Sequence, residues 1–449
     1  MDSGRAWWIA AALVLLPAVA GAAEPGSAEP RRLSFAEAVR VAAGETPAAR
    51  IAGLKADQAQ ARLSESRGAF LPSLSGSASE ANRTTNIATF GIEFPSTPGA
   101  PPQEDLIGPF DVFDTRIAAS QTLFDWSSWM KIRAARQDLA ASRADHAASS
   151  EGAAHDAALA YLRAARAEAM LEARGEDLLI ADTLLTVAKI QVDAGVSPNI
   201  DVTRARTQHA VSRGGILVAR NQVDRTQIDL ARALGLDPTS RFALTDTLSP
   251  ELGAADVPSD PPAALAAALE RRPELRAEVA RGLQARADRS AIGAERLPRL
   301  AVDADYGLSG RHPGDAIATR EVMVGVSMPL FDGLRRESRI QEQSGVVRES
   351  ELRARDVRDR IGAEVSLALL DLGSGLEQER VAMERLHLAE DELAQARERF
   401  VSGVAGNIEV IDAQSGLVQA RDAEIEARFA IAVARVNLAQ AAGVAQTLR

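Results

Sequence analysis

The chain of 449 residues contains no cysteine. This absence excludes disulfides, zinc–thiolate sites, thiol nucleophiles and a lipid-modified N-terminal cysteine. Histidine is scarce, and the five histidines show no HxxxH spacing of the kind that metal sites use. The 51 basic and 62 acidic residues give a net charge of −11, which argues against a basic nucleic-acid-binding surface. We therefore expect no metal site, no cofactor and no nucleic-acid partner.

Aromatic residues are also few and make up only 4% of the chain. An ordinary globular core of this size relies on aromatic side chains for much of its buried area. Alanine, leucine, arginine, glutamate and glutamine take their place, and this composition favours long helices that pack through small side chains.

The N-terminal residues 1–23 have the pattern of an export signal. A short apolar run over residues 7–16 follows Arg5, and small residues occupy positions 20–23. This order predicts a signal peptide that is cleaved near residue 22 or 23. A membrane anchor is the alternative, but the run is shorter than the roughly 20 residues that a spanning helix needs. We expect an exported mature chain without a membrane-spanning helix.

The remainder of the sequence contains the same series of motifs twice. Leu71-Pro72-Ser73-Leu74 aligns with Leu297-Pro298-Arg299-Leu300 at an offset of 226, and the two Leu-Phe-Asp triplets that begin at 123 and 330 align at an offset of 207. The glycine-containing segments from Gly195 and Gly403 align at an offset of 208. Motifs that recur in the same order predict an internal duplication.

Each half is predicted to contain a helix, a β-hairpin, a long helix, a tip turn and a returning helix. Proline-free stretches define the helices, and period-two alternation defines the strands. The first repeat, 33–240, has its hairpin at about 71–123 and helices at 127–194 and 201–235. A linker or equatorial segment, 241–260, leads to the second repeat, 261–443, which has its hairpin at about 298–330 and helices at 333–402 and 408–442. Residues 444–449 form a C-terminal tail.

The long helices carry a heptad pattern of leucine and alanine, typical of a coiled coil with closely approaching helices. At 1.5 Å per residue they span roughly 100 Å, which is too long for burial in a compact domain of this size. The strands of about ten residues have the length of tilted membrane strands, although a soluble sandwich hairpin is the alternative. Four strands cannot close a barrel alone, so in a membrane they need copies from other subunits.

Aromatic side chains concentrate near the predicted hairpins. Phe124, Trp126, Trp129 and Phe331 stand where a strand passes into a long helix, as an interfacial aromatic girdle in contact with membrane lipid would. Chance clustering of strand-forming residues is the alternative.

The duplicated hairpins, the strand borders and the tips with the pattern Gly-x-x-x-Asn-Ile-Asp/Glu-Val resemble those of the TolC-like outer-membrane efflux proteins. The resemblance runs from about Leu33 to Gly443. It implies an α+β membrane protein: a homotrimer whose twelve-stranded β-barrel in the outer membrane continues as a twelve-helix periplasmic tunnel. It also implies an exit duct that joins a periplasmic adaptor protein to an inner-membrane efflux transporter.

The resemblance also directs attention to the tips. Acidic residues at matching positions line the periplasmic entrance of family members, which here implies a role for Asp201, Glu409 and Asp412. A helix-start role is the alternative for the first two, because carboxylates favour helix N-termini. Gly195 and Gly403 are expected to supply left-handed turn geometry. Adaptor docking is expected at these glycines and at four neighbouring tip residues: Val196, Ser197, Val404 and Ala405.

Three other functions are compatible to different degrees with these features. Type I protein secretion uses an outer-membrane component of the same family, and a soluble periplasmic coiled-coil scaffold or adaptor would also explain the heptads. An enzyme is disfavoured because no nucleophile–base pair or metal-binding set stands out.

The second tip contains no basic residue between Gly403 and Asn407, whereas family members that close by salt bridges often carry one there. Closure by that ion pair is therefore not expected.

Overall fold

The computed structural model describes residues 31–86, 89, 106–249, 251–253 and 255–448. The predicted signal peptide, 1–23, lies outside these residues. Among the helices of the described part, none is long and apolar enough to span a membrane. The eight helices of this part are α1 Phe35–Glu45, α2 Pro47–Gly68, α3 Trp126–Asp193, α4 Asn199–Ala233, α5 Pro261–Arg271, α6 Pro273–Ala294, α7 Arg335–Val401 and α8 Asn407–Ala442.

Six strands accompany these helices in the described residues: β1 Arg31–Leu33, β2 Ser73–Asn86, β3 Leu106–Phe124, β4 Phe242–Leu244, β5 Arg299–Gly310 and β6 Ile317–Ser327. A short 3-10 helix, Ala445–Thr447, follows α8. The order of two helices, two strands, a long helix and a returning helix therefore occurs twice along the chain.

The two long helices contain 68 and 67 residues, which corresponds to about 100 Å each. The helix predicted from 201 begins two residues earlier, at Asn199, because the extended backbone of Pro198 serves as its N-cap. The long helix predicted from 333 begins at Arg335, because Gly333 and Leu334 both have left-handed backbone conformations that do not continue a helix.

Side-chain caps determine where several shorter helices begin. Ser34 Oγ accepts from the backbone N–H of Glu37 at 3.2 Å, and Asp260 Oδ2 accepts from that of Ala263 at 3.1 Å. Thr46 Oγ1 caps α2 in the same way. Such caps satisfy amides that have no partner within the helix, so they fix the first turn.

Four strands form one antiparallel sheet in the order β2-β3-β5-β6. Cross-strand register places apolar side chains on one face, where Ile117 lies opposite Tyr306 and Val302 lies opposite Val324. The other face is polar: Ser77 lies opposite Arg116, and Asp305 lies opposite Glu321. The predicted alternation thus becomes one apolar and one polar face, and β2 and β6 are the outer strands of this sheet.

The strand predicted to run to residue 330 ends at Ser327. Pro329 follows closely, and proline has no N–H to donate to a ladder. Phe331 therefore lies between β6 and α7, outside both elements.

A core near the middle of the long helices joins the N-terminal, central and C-terminal segments. The segment 241–260 contains β4, which pairs in parallel with β1. Tyr161 of α3 is fully buried there, packs edge-on against Phe35 with ring centroids 5.5 Å apart, and donates to Leu33 O at 3.2 Å. Leu448 of the C-terminal tail is buried in the same core.

Thr46 and Arg272, which stand 226 positions apart, both precede a helix that begins with proline. The side chain of Thr46 caps its helix, whereas the side chain of Arg272 makes no cap hydrogen bond and contacts other helices instead. Its guanidinium donates to Glu274 at 2.9 Å, to Glu364 of α7 at 2.6 Å, and to the carbonyl oxygens of Gln440 and Ala441 at 3.2 Å each. A buried arginine therefore ties α6 to α7 and to the end of α8.

Candidate functional site

Both tip turns have the same backbone construction. Gly195 and Gly403 have φ angles of +73° and +75°, in the left-handed region. The N–H of Val196 donates to Gln191 O at 2.9 Å, and the N–H of Val404 donates to Arg399 O at 3.0 Å. These are the hydrogen bonds of a Schellman motif, which ends a helix and reverses the chain.

Replacing Gly403 by alanine is expected to lower the free energy of unfolding by about 1 kcal/mol, because a Cβ is strained in the left-handed region. Gly416→Ala is the matched control. Gly416 lies within α8 and has open space around its Cα, so alanine there is expected to add about 0.5–1 kcal/mol through helix propensity. Denaturant unfolding of both variants measures the difference, and equal signs for the two changes would contradict this role of Gly403.

Side chains around the turns differ in exposure. Val196 and Val404 are 74% and 73% exposed. Ser197 and Ala405 are half-buried, and Ser197 Oγ lies 3.3 Å from Gln191 Oε1. The two valines form the apolar ends of the tips in the single chain.

Asp201 is buried in the first turn of α4, and its carboxylate faces Arg204 with Oδ1 and Nη1 3.6 Å apart. Its carbonyl oxygen accepts from Asn407 Nδ2 at 2.8 Å. Asn407 begins α8, so this hydrogen bond joins the two tips. The Asp201 carboxylate makes no cap hydrogen bond at the start of α4 and is paired with Arg204 instead.

Glu409 and Asp412 lie on the exposed side of α8. Glu409 forms an ion pair with Arg399 at the end of α7, with Oε2 and Nε 3.3 Å apart. Asp412 makes no hydrogen bond or ion pair with the described part of the chain. Of the three predicted entrance carboxylates, Asp412 is therefore the one whose charge is not offset by a neighbour.

Arg399 pairs with Glu409 at the second tip and is not predicted from the sequence. The tip segment between Gly403 and Asn407 contains no basic residue, so closure by an ion pair from that segment is not expected. Arg399 instead lies in the last turn of α7 and reaches across the turn to Glu409. Its position next to a helix C-terminus, where cations are favoured, was the available signal.

Further from the tips, charged side chains connect α3 with α8. The carboxylate of Asp177 is 4% exposed and lies between Arg174, at 2.8 Å, and Arg421, at 3.3 Å. Burial raises the pKa of Asp177, and its hydrogen bond with Arg174 acts in the opposite direction. Arg174 also donates to both oxygens of Asp422 at 2.6 Å. This network holds the two helical pairs together above the tips.

The predicted interface aromatics are all exposed in the single chain. Phe124 ends β3, and Trp126 and Trp129 occupy the first turn of α3. Phe331 is 80% exposed. The structure thus places exposed rings at the junction between sheet and helices on both long-helix connections.

Among the described residues, no group of three or more histidine, aspartate or glutamate side chains could hold a metal ion. The arrangement at the tips can attract or repel ions and form contacts with other proteins. It offers no nucleophile–base pair.

The sequence model of the family described as "Outer membrane efflux protein" matches residues 39–236 and 264–444. Among curated proteins, the outer membrane efflux protein BepC of Brucella suis is 24% identical over 339 residues, covering 73% of this chain and 71% of the relative. The pyoverdine export outer membrane protein OpmQ of Pseudomonas putida is 25% identical, with coverages of 74% and 70%. Protein CyaE of Bordetella pertussis is 25% identical, with coverages of 91% and 84%.

Solved structures have the same fold. A crystal structure of CusC superposes with a TM-score of 0.78 at 18% identity and covers 91% of this chain and 92% of its own. The Campylobacter jejuni CmeC outer membrane channel superposes with a TM-score of 0.77 at 16% identity, with coverages of 92% and 86%.

Proposed function

Because the chain belongs to the outer membrane efflux protein family, we propose that it is the outer-membrane exit duct of a tripartite efflux pump. Like its relatives, it resides in the outer membrane of a Gram-negative bacterium and has a large periplasmic portion. The family and its structural neighbours are channel proteins, which supports a role other than catalysis.

The two-faced sheet is the observation that carries this proposal. Its apolar face suits hydrocarbon, and its polar face suits a water-filled lumen. The outer strands β2 and β6 have unpaired edges in the single chain, and such edges are not tolerated in hydrocarbon. Pairing of β6 with β2 of the next copy would remove every edge. Three copies would then form a barrel of twelve strands.

The long helices provide the periplasmic part of the proposed duct. Each copy contributes two helices of about 100 Å, paired with the shorter helices that return along them. Three copies would form a twelve-helix tunnel below the barrel. We interpret the repeated order of elements as an internal duplication, with repeats 33–240 and 261–443.

The tips are the proposed docking surface for partner proteins. We propose that a periplasmic adaptor contacts the exposed Val196 and Val404 together with the neighbouring turn residues, and that an inner-membrane transporter supplies the substrate. The same architecture would serve type I protein secretion. The relatives include an outer membrane efflux protein and a pyoverdine export protein, so we propose no single substrate for this chain.

Cell fractionation with unheated gel electrophoresis tests the proposed function. We expect the protein in the outer-membrane fraction, and we expect it to migrate as a trimer until heated. A periplasmic monomer would contradict the duct and support the soluble scaffold. Purified trimers should then conduct ions across a planar bilayer.

The apolar face of the sheet gives a further prediction. Val322 and Met323 are adjacent on β6 but point to opposite faces. Val322→Lys is expected to cost about 2–4 kcal/mol, because it places a charge against lipid, whereas Met323→Lys faces the lumen and should cost much less. Yield of the heat-resistant trimer measures the difference. Equal losses for both variants would contradict the assignment of the two faces.

We further propose that tip carboxylates favour cations at the periplasmic entrance. In bilayer recordings, Asp412→Asn is expected to lower the cation-to-anion permeability ratio by about threefold or more, because its charge is not offset by a neighbour. Glu409→Gln should have a smaller effect because Arg399 already pairs with Glu409, and Asp201→Asn the smallest because Asp201 is buried beside Arg204. An unchanged ratio in the triple variant would contradict the entrance assignment.

A further inference from the structure

The polar face of the sheet carries charged side chains that are separate from the carboxylates at the tips. Near the middle of β3, Arg116 is surrounded by carboxylates from its own strand and from β5. Its Nε donates to Asp114 Oδ1 at 2.7 Å, and its Nη1 donates to Asp305 Oδ1 at 3.0 Å. One guanidinium therefore binds two carboxylates and crosses from the first hairpin to the second.

Space for this arrangement is created on the neighbouring strand. Gly307 lies directly opposite Arg116, and a Cβ added at Gly307 would lie 2.6 Å from Arg116 Cβ and 2.6 Å from Thr115 O. On the other side, Ser77 of β2 lies opposite Arg116. The small neighbours let the arginine side chain lie along the sheet, where it is only 36% exposed.

Two more carboxylates belong to the same face. Asp303 precedes Asp305 by two residues on β5, and Glu321 of β6 lies opposite Asp305. Neither forms an ion pair within the described part of the chain. Like charges directly opposite each other on adjacent strands are unfavourable, and Arg116 offsets that repulsion for Asp305. Asp303 and Glu321 remain outside the ion pairs of Arg116, which acts on Glu321 only at longer range.

From this geometry we propose that Asp114 and Asp305 are positioning residues that hold Arg116 against the barrel wall, so that the lumen presents Asp303 and Glu321 and favours cations. The inference rests on the proposed function, because the polar face lines a lumen only if the sheet closes into a barrel. It adds a selectivity element in the barrel, separate from the tips, and implies that cationic solutes pass more readily than anionic ones.

Releasing Arg116 from its carboxylates should lower the cation-to-anion permeability ratio more than the loss of two carboxylates alone does. Asp114→Asn/Asp305→Asn and Asp303→Asn/Glu321→Gln each remove two carboxylates per chain, so their net charges are identical. Only the first pair frees the guanidinium to extend into the lumen. The two double variants therefore separate the position of Arg116 from the total charge of the wall.

The test is single-channel recording of reconstituted trimers in about 10 mM salt, where the Debye length of about 30 Å lets wall charges act across the lumen. We expect Asp303→Asn/Glu321→Gln to lower the cation-to-anion permeability ratio by about twofold. Asp114→Asn/Asp305→Asn should lower it by about fourfold or more and should also reduce the conductance. Adding Arg116→Gln to that variant should restore both quantities at least to the level of the matched control.

Heat resistance of the trimers on gels identifies variants that fail to assemble, and only assembled variants are compared. Equal permeability ratios for the two double variants, or no rescue by Arg116→Gln, would overturn the positioning role. Failure of the unmodified protein to form any channel would instead overturn the proposed function.

Discussion

Arg272→Ala is expected to lower the free energy of unfolding by about 3 kcal/mol. The substitution leaves two carboxylates and two carbonyl oxygens without the hydrogen bonds that the guanidinium donates to them. The loss of a buried ion-pair partner usually costs about 3–5 kcal/mol. The lower end applies here because the Glu364 side chain is 38% exposed and can regain water. The measurement is denaturant unfolding of the solubilised protein, read from the midpoint at constant slope.

Two variants sharpen this prediction. Arg276 is exposed and donates only to the carbonyl oxygen of Arg271, so Arg276→Ala should change stability by less than about 0.5 kcal/mol. Arg272→Thr places at this position the residue type that caps α2 in the first half, and a new cap should recover about 1 kcal/mol relative to alanine. If Arg272→Ala behaves like Arg276→Ala, the buried arginine does not tie the helices together.

Tyr161→Ala is the other large effect and is expected to cost about 3–5 kcal/mol, because it removes a fully buried aromatic side chain from the central core. Tyr161→Phe keeps the ring contact with Phe35 but loses the hydroxyl. That hydroxyl donates to Leu33 O and accepts from the N–H of Asp246, each at 3.2 Å. The phenylalanine variant should therefore lose about 1–3 kcal/mol. Equal losses for both variants would show that ring packing contributes nothing.

The same residue predicts how stability depends on alkaline pH. Burial raises the pKa of Tyr161 to about 12 from its ordinary value of 10.0. A raised pKa means that the folded state holds the proton more tightly than the unfolded chain does. The contribution of protonated Tyr161 to the free energy of unfolding is complete below about pH 10 and is lost as the pH rises from about 10 to about 12. Tyr161→Phe should lack this loss, which unfolding curves at pH 9 and pH 11 would reveal.

Elements with a strong local signal were predictable from the sequence. The proline-free stretches gave the long helices to within two residues at each end, because nothing within them interrupts the i→i−4 hydrogen bonds. The alternation on the second hairpin correctly indicated which residues of β5 and β6 share a face. The prediction of a TolC-like outer-membrane efflux protein is confirmed by the family match.

Interactions between distant segments were not predictable. From the sequence, Arg272 is recognisable only as the residue before a helix. Its partners at 364 and 440–441 are far away along the chain and are brought near by tertiary packing. The same holds for Arg116, whose partner Asp305 lies 189 positions away. Asp201 is hydrogen-bonded through its carbonyl oxygen to Asn407 of the other tip, 206 positions away, and sequence spacing alone could not reveal this contact.

The two tips share one hydrogen-bond pattern but differ in the residue before the returning helix. Pro198 precedes α4 and Gly406 precedes α8, both with φ of −78°. Proline has little backbone freedom to lose on ordering, whereas glycine loses more conformational entropy than any other residue. Ordering the second tip therefore costs more entropy than ordering the first. Its backbone amides are accordingly expected to exchange with solvent deuterium faster than those of the first tip.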